Sequence, residues 1–294
     1  MKYPMLSETY TLNNGVEIPR LGLGTWLIPD NKAADAVTSA IDLGYRMIDT
    51  AQAYGNEAGV GEGVRSSGIA RDQLFVTTKI DASHKSYDSA AQSIDESLQL
   101  AKFDYFDMII IHCPQPWDQF RGEDRYFEQN VEVWRALEDA YQAGKVRAIG
   151  VSNFLADDLQ NILDHATVKP AVNQVLCHAG NVPFGLIDTC RQADVLVEAY
   201  SPVAHGAALG NGLLVELAEK YGVSVAQLCI RYVLQLGCVA LPKTANPQHM
   251  AQNADVAGFE ISHEDMERIK RMPDLDQYGE DGFFPVFAKS DSAR

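Results

Sequence analysis

Arg46-Met-Ile-Asp49, Leu74-Phe-Val-Thr-Thr-Lys79 and Phe106-Asp-Met-Ile-Ile-Ile-His112 are three short runs rich in β-branched and aromatic residues, each closing on a side chain that can do chemistry. Predominantly polar, helical-looking stretches separate them, so the natural outcome is a parallel sheet with crossover helices. Outward from these three, the same pattern gives eight strand-like runs, at residues 21–26, 46–49, 74–79, 106–112, 147–152, 171–174, 195–201 and 238–242. Eight is the number that closes a barrel of alternating strands and helices, in which groups at the carboxyl ends of different strands converge on one face. Helical patterns fill residues 32–43, 86–100, 127–143, 155–164 and 224–236, with Gly44 and Gly144 as punctuation. The expected fold is α/β: a single (β/α)8 TIM barrel over residues 1–294.

Two further features frame that barrel. Thr9-Tyr-Thr-Leu, Asn13-Asn-Gly15 and Val16-Glu-Ile-Pro read as an N-terminal β-hairpin, since Asn-Gly tolerates the positive φ of a tight primed turn. Lying before the repeating units, the hairpin is expected to plug the barrel floor. Residues 113–125 and 273–294 break the rhythm and are long enough to form loops over the strand ends.

Composition narrows the function. A formal charge of -16 disfavours nucleic acid or an anionic membrane surface as a partner, so a phosphate ligand needs a local basic pocket. The five cysteines are scattered without a C-x-x-C pair, which fits reduced thiols in a cytosolic compartment better than disulfides or structural zinc. The first residues lack an apolar signal core, and no run approaches 18 apolar residues, so no membrane segment is expected.

The strand ends bring Asp49, Tyr54, Lys79 and His112 into one reckoning. An unperturbed phenol, with a pKa near ~10, is a poor acid at neutral pH unless nearby positive charge stabilises its anion. Lys79 can supply that charge, worth roughly 4 kcal/mol at about 4 Å and an effective dielectric of about 20 before desolvation is subtracted. Asp49 would hold Lys79 protonated. His112 could donate one hydrogen bond to a substrate oxygen while a neighbour fixes its other nitrogen. The four suit polarising a carbonyl and protonating the alkoxide that forms, but they include no reductant, so a cofactor must bring the hydride.

The segment GYRMIDTAQAYGNEAGVG at residues 44–61, with LFVTTKI, MIIIHCP, GVSNF, VNQV, EAYSP and LPKTANPQHMAQN, strongly resembles the aldo-keto reductases over nearly the whole chain. The resemblance implies a barrel that holds extended NAD(P)H without the Rossmann glycine signature, and Gly22-Leu-Gly24 indeed lacks the third glycine. It implies that Tyr54 is the general acid, that Asp49 and Lys79 tune it, and that His112 orients the carbonyl. Carried over likewise, Ser152, Asn153 and Gln174 would hold the nicotinamide carboxamide and Tyr200 would stack on the ring. Ser201 and Pro202 would follow the pyrophosphate, and Gly24, Thr25 and Asp49 would border the cofactor.

At the adenosine end, Asn246-Pro247 reads as an N-cap and first-turn proline, so a helix amino terminus beside Lys243 and Thr244 can receive the 2′-phosphate of NADPH. The family often has arginine where this chain has His249, and a guanidinium fork binds phosphate better than an imidazole does. Gln252 stands where a glutamate commonly precedes Asn253. The expectation is NADPH use with weakened preference, extending to NADH. Leu176 and Ala179 also depart from the glutamate and proline of many relatives, which bears on loop shape there.

Trp26, Trp117, Phe284 and Phe287 are candidates for an apolar substrate wall beside Tyr54 and His112, with loop anchoring as the equal alternative. His178 and His205 read as structural. Two other readings stay open: a metal-dependent barrel hydrolase using Asp49, Lys79 and His112, and a nucleotide-binding sensor or channel accessory on the same fold without turnover. The first lacks a histidine pair on strand one and any H-x-x-E-H cluster. The resemblance leans toward a monomer, with a dimer left open; the substrate would be a small-molecule carbonyl and no metal is called for.

Overall fold

The computed structural model describes residues 2–288; positions 289–294, the end of the expected tail loop, lie outside the described residues. An antiparallel hairpin comes first, β1 (Thr9–Thr11) and β2 (Glu17–Pro19). Then follow β3 (Leu23–Gly24), α1 (Asp30–Leu43), β4 (Met47–Asp49), α2 (Glu57–Ser66), β5 (Phe75–Ile80), α3 (Tyr87–Ala101), β6 (Phe106–Ile111) and α4 (Phe127–Gln142). The second half runs β7 (Val146–Ser152), α5 (Ala156–His165), β8 (Val172–Leu176), α6 (Phe184–Gln192), β9 (Leu196–Tyr200), α7 (Gly212–Tyr221), α8 (Val225–Gln235), β10 (Val239–Leu241), α9 (Pro247–Ala254) and α10 (His263–Lys270). The strands β3 to β10 pair in parallel in sequence order. Bridges from Leu21 to Ala240 and from Gly24 to Lys243 join the first strand to the last and close an α/β TIM barrel.

All eight strand-like runs become strands, with ends shifted by a residue or two. The largest change is at strand one, which shrinks to Leu23–Gly24. A Cβ at Gly22 would meet the Met47 side chain at 2.8 Å, so a glycine is needed there, while its N–H still bonds to the Ala240 carbonyl of the last strand. Strands β5 and β6 are buried at every position, as expected where helices cover one face and the barrel interior the other. Ser86 caps α3 by accepting from the Ser89 N–H, Ser224 closes a capping box with Gln227 on α8, and Gly44 ends α1 at φ 109°.

Four helices absent from the sequence reading also form: α2, α6, α7 and α10. In α2 the glycines that weaken a helical pattern are there for packing. A Cβ on Gly61 would run into the backbone of Ala101, and one on Gly59 into the carbonyl of Asp30.

The hairpin does plug the floor. Leu12 and Ile18 pack with Met47, Phe75, Met108, Ile110, Val172 and Leu241 inside the barrel. Asn13 donates to the carbonyls of Pro170 and Asp194, and Asn14 to that of Arg147, tying the turn to three strand starts. The turn is not the expected primed type: only Gly15, at φ 83°, is left-handed, and its N–H bonds to the Leu12 carbonyl. The loop is therefore three residues long, an ordinary turn closed by a left-handed glycine.

Candidate active site

Strand geometry delivers all four candidate groups to the carboxyl face of the barrel. Asp49 ends β4, Tyr54 closes the 3₁₀ turn Gln52–Tyr54 that follows, Lys79 is next to last in β5, and His112 comes straight after β6. Lys79 Nζ donates to Asp49 Oδ1 at 2.5 Å, to the Thr50 carbonyl at 2.9 Å and to the Tyr54 hydroxyl at 3.3 Å. Three acceptors thus meet the three hydrogens of a fully buried ammonium. Burial disfavours its charge, but Asp49 and then Tyr54 more than reverse this and raise the pKa of Lys79, so it stays charged.

Tyr54 behaves differently from the sequence expectation. Burial raises the pKa of the phenol by more than the Lys79 ammonium lowers it, with Asp49 adding to the rise. The desolvation left to be subtracted exceeds the Coulomb gain, so Tyr54 is held firmly as the protonated phenol.

His112 packs edge-on against Tyr54, with ring centroids 5.6 Å apart, and against Trp117 at 5.0 Å. Its Nδ1 is enclosed without a hydrogen-bond partner, so the expected neighbour fixing that nitrogen is absent among the described residues and ring packing orients it instead. Burial, and secondarily the Lys79 charge, hold its pKa well below the usual histidine range, so the imidazole is neutral.

A second tier of polar groups fixes the first. Gln174 Nε2 donates to Asp49 Oδ2 at 2.8 Å and to Glu198 Oε2 at 2.7 Å. Ser152 donates to the Gln174 carbonyl. The Asn153 amide donates to the His112 carbonyl and to the Ser152 hydroxyl, and its oxygen accepts from Tyr200 at 2.7 Å. Asn153 and Ser201 both take left-handed backbone conformations, φ 61° and 54°, an investment in strain at the points where strands turn into the site.

Glu198 is the residue that sequence reasoning missed. It is fully buried in β9 opposite Gln174, its Oε1 has no partner among the described residues, and burial, followed by the charge of Asp49, pushes its pKa up to about 7. The available signal was an acid in the middle of the apolar run 195–201.

These groups open onto a cavity of about 600 Å³. Asp49, Tyr54 and His112 face it, as do Ser152, Asn153, Gln174 and Tyr200, and Gly24, Ser201 and Pro202 border it. Lys79 lies behind Asp49 and Tyr54, off the cavity wall. Thr25 does not reach the cavity either: it is fully enclosed and donates to the Asp49 carbonyl, bracing that strand end.

At the other end of the cavity stand Lys243, Thr244, His249, Gln252 and Asn253. Asn246 is not on the wall; it caps α9 by accepting from the Gln248 N–H, as its sequence position indicated. Among the described residues neither Lys243 nor His249 has a side-chain partner.

Trp26, Trp117, Phe284 and Phe287 line the cavity and also hold the tail in place, since Phe284 packs on Trp117 at 4.7 Å and Phe287 on Trp26 at 5.6 Å. Cavity lining and tail anchoring are thus one arrangement. His178 is internal, bonded to the Ala179 carbonyl and Tyr278. His205, by contrast, faces the cavity: it bonds to Ser201 at 2.8 Å and to Asp281 at 2.5 Å, clasping the tail to the loop after β9.

The model of the Aldo/keto reductase family matches residues 20–274. The chain belongs to that family. As an aldo-keto reductase it is 42% identical over 265 residues to a glyoxal reductase of Bacillus subtilis, covering 90% of this chain and 92% of that one. Among solved structures, an aldo/keto reductase from Brucella melitensis superimposes with TM-score 0.84 at 36% identity, covering 90% of this chain and 98% of the other. A Bombyx mori aldo-keto reductase in complex with NADP does so with TM-score 0.81 at 32% identity, covering 90% and 92%.

Proposed function

We propose that this aldo-keto reductase reduces aldehydes and ketones to alcohols, reversibly, with NAD(P)H as cofactor. The observation that carries the reading is the contact of the Tyr54 hydroxyl, which lines the cavity, with the Lys79 ammonium that Asp49 holds in place behind the wall. When bound, the nicotinamide supplies the hydride. Tyr54 delivers the proton to the carbonyl oxygen, and the Lys79 charge favours the phenolate left behind. His112 is neutral with an enclosed, unpartnered Nδ1, so a hydrogen on Nε2 avoids burying an unpaired donor. That tautomer gives the ring a donor toward the carbonyl oxygen.

The residues present fit a dinucleotide. Gln174 offers a fixed amide oxygen near Tyr54, and Lys243, with no partner among the described residues, offers a charge at the far end of the same cavity. Ser152, Asn153, Gln174 and Tyr200 would take the nicotinamide, Ser201 and Pro202 the pyrophosphate, and Lys243, Thr244, His249, Gln252 and Asn253 the adenosine end. The solved relative bound to NADP supports NADPH as the cofactor, and His249 in place of arginine supports a relaxed preference. A kcat/KM with NADH equal to or better than that with NADPH would remove the phosphate-pocket reading.

The aromatic wall favours carbonyl substrates with an aromatic or aliphatic body, and the match to a glyoxal reductase brings α-dicarbonyls into the test panel. Five buried free cysteines are compatible with a reducing, cytosolic setting, and no described helix is long and apolar enough to cross a membrane. The deciding experiment follows absorbance at 340 nm with aromatic aldehydes, α-keto esters and diketones, using wild type and Tyr54→Phe. Turnover by wild type that falls about 10²–10⁴-fold in the variant, with NADPH binding retained, is the expected result. Tight cofactor binding without any oxidation would overturn the enzymatic reading.

A further inference from the structure

We propose that Glu198 is a positioning residue for the cofactor's carboxamide: it fixes the Gln174 side chain so that the amide oxygen, and not the nitrogen, is presented to the cavity. The inference rests on the function proposed above and adds a residue and a role to it.

Asn and Gln side chains can flip, exchanging a donor for an acceptor in nearly the same volume. In this site the choice is physically determined. Both partners of Gln174 Nε2 are carboxylate oxygens, Asp49 Oδ2 at 2.8 Å and Glu198 Oε2 at 2.7 Å. Above pH about 7, where Glu198 is ionised, a flipped amide would set its oxygen against two carboxylates and lose both hydrogen bonds at once, so the binding comparison belongs at pH ~8.

Asp49 alone would be a weak lock, because its other oxygen is committed to Lys79. A single contact leaves the amide free to turn about it, whereas two acceptors on adjoining sides account for both amide hydrogens. Among the described residues Glu198 has no other side-chain partner: it is fully buried, its Oε1 is unbonded, and no cation is within ion-pair distance. An acid so placed is costly to bury, and the one side-chain bond it makes among the described residues is to Gln174. Gln174 Oε1 accepts no hydrogen bond from any described residue, and the residue lines the cavity, so the oxygen is available to a ligand N–H. A primary carboxamide is such a ligand group.

The test compares binding of two oxidised cofactors, NADP and its 3-acetylpyridine analogue, in which a methyl ketone replaces the carboxamide and removes its N–H donor. Dissociation constants come from tryptophan fluorescence or calorimetry, so no turnover is needed. Wild type should bind NADP more tightly than the analogue by about tenfold, the worth of one well-made hydrogen bond. Glu198→Met, close in volume but without an acceptor, should bring that ratio close to one, chiefly by weakening NADP. Glu198→Gln keeps an acceptor opposite Gln174 and should retain most of the ratio.

A Glu198→Met protein that discriminates as well as wild type would overturn the assignment. So would loss of discrimination in Glu198→Gln, which also serves as the test should the methionine variant fail to fold. A wild type that binds both cofactors equally would sink the carboxamide contact while leaving carbonyl reduction standing. A wild type that binds neither would remove the proposed function and this inference together.

Discussion

The two ends of the cavity are built on opposite principles. At one end, Asp49, Lys79, Gln174 and Glu198 are fully or almost fully buried, sit within or at the ends of strands, and are tied to one another by hydrogen bonds of 2.5–2.8 Å. At the other, Lys243 and His249 are exposed, sit on a strand-end loop and a short helix, and have no side-chain partners among the described residues. Buried polar networks are high-stakes: a member cannot be removed without orphaning the next, because the low dielectric strengthens each bond and each vacancy alike. Exposed groups are screened by water and salt and can be exchanged at small cost. On the function proposed above, the barrel interior would fix the chemistry, while the rim would be free to set cofactor preference.

The sharpest way to break this contrast is through folding stability. Lys79→Met leaves the buried Asp49 carboxylate without its cation, and a loss of about 3–5 kcal/mol is expected, read by urea unfolding. His249→Ala at the other end should change stability by less than about 0.5 kcal/mol. Similar losses from both substitutions would show that the two ends are not energetically distinct.

A second, smaller effect is a pH slope. The carboxyl of Glu198 is pushed up to about 7 in the folded protein from the ordinary 4.5. Between these values the native state keeps a proton that the unfolded chain releases, so this group's contribution falls as pH rises from about 4.5 to about 7 and then levels off. The total is about 3 kcal/mol. Glu198→Gln does not titrate, so the stability difference between pH 5 and pH 8 should shrink by about that amount relative to wild type. An unchanged difference would mean that Glu198 is ionised throughout.

The aromatic side chains that line the cavity also hold the tail, and a substrate contact can be separated from that anchoring. Trp117→Ala should lower kcat/KM for a bulky aromatic ketone by an amount equivalent to about 2 kcal/mol, and for a small aldehyde by much less. Equal losses for both would identify Trp117 as an anchor for Phe284 and not as a substrate contact.

What could be read from the sequence follows the same division. The strands β4, β5 and β6 announce themselves because a barrel strand is apolar over its length and changes character abruptly at its carboxyl end, where Asp49, Lys79 and His112 stand. The four catalytic candidates and most cavity-lining residues were legible for that reason and through the family resemblance. Glu198 was not, because its role depends on register: only the pairing of β8 with β9 puts it beside Gln174. His205 was hidden in a similar way, since its partner Asp281 is distant in the chain and the turn that aims it has φ 53°. The sign of the Tyr54 shift also escaped, because desolvation is a property of the packed surroundings and no pair of residues reveals it. Helix α2 was obscured by glycines whose purpose appears only when α1 and α3 are packed against it.

The smallest expected effect belongs to the open end, and it sharpens the comparison because it should be a gain. His249 faces the cavity next to the capped start of α9, with no carboxylate partner among the described residues to satisfy first. In His249→Arg a planar fork of donors replaces one ring, and a guanidinium has no competing acid to leave before it meets a phosphate. The dissociation constant for NADPH should tighten by about tenfold, close to 1.4 kcal/mol, while that for NADH stays within about twofold. Because the group is exposed, the gain should fall as salt is raised from low to physiological ionic strength. A gain shared equally by NADH would place the new charge on the pyrophosphate and not on the 2′-phosphate, and no gain with either would show that His249 borders the cavity without facing the cofactor.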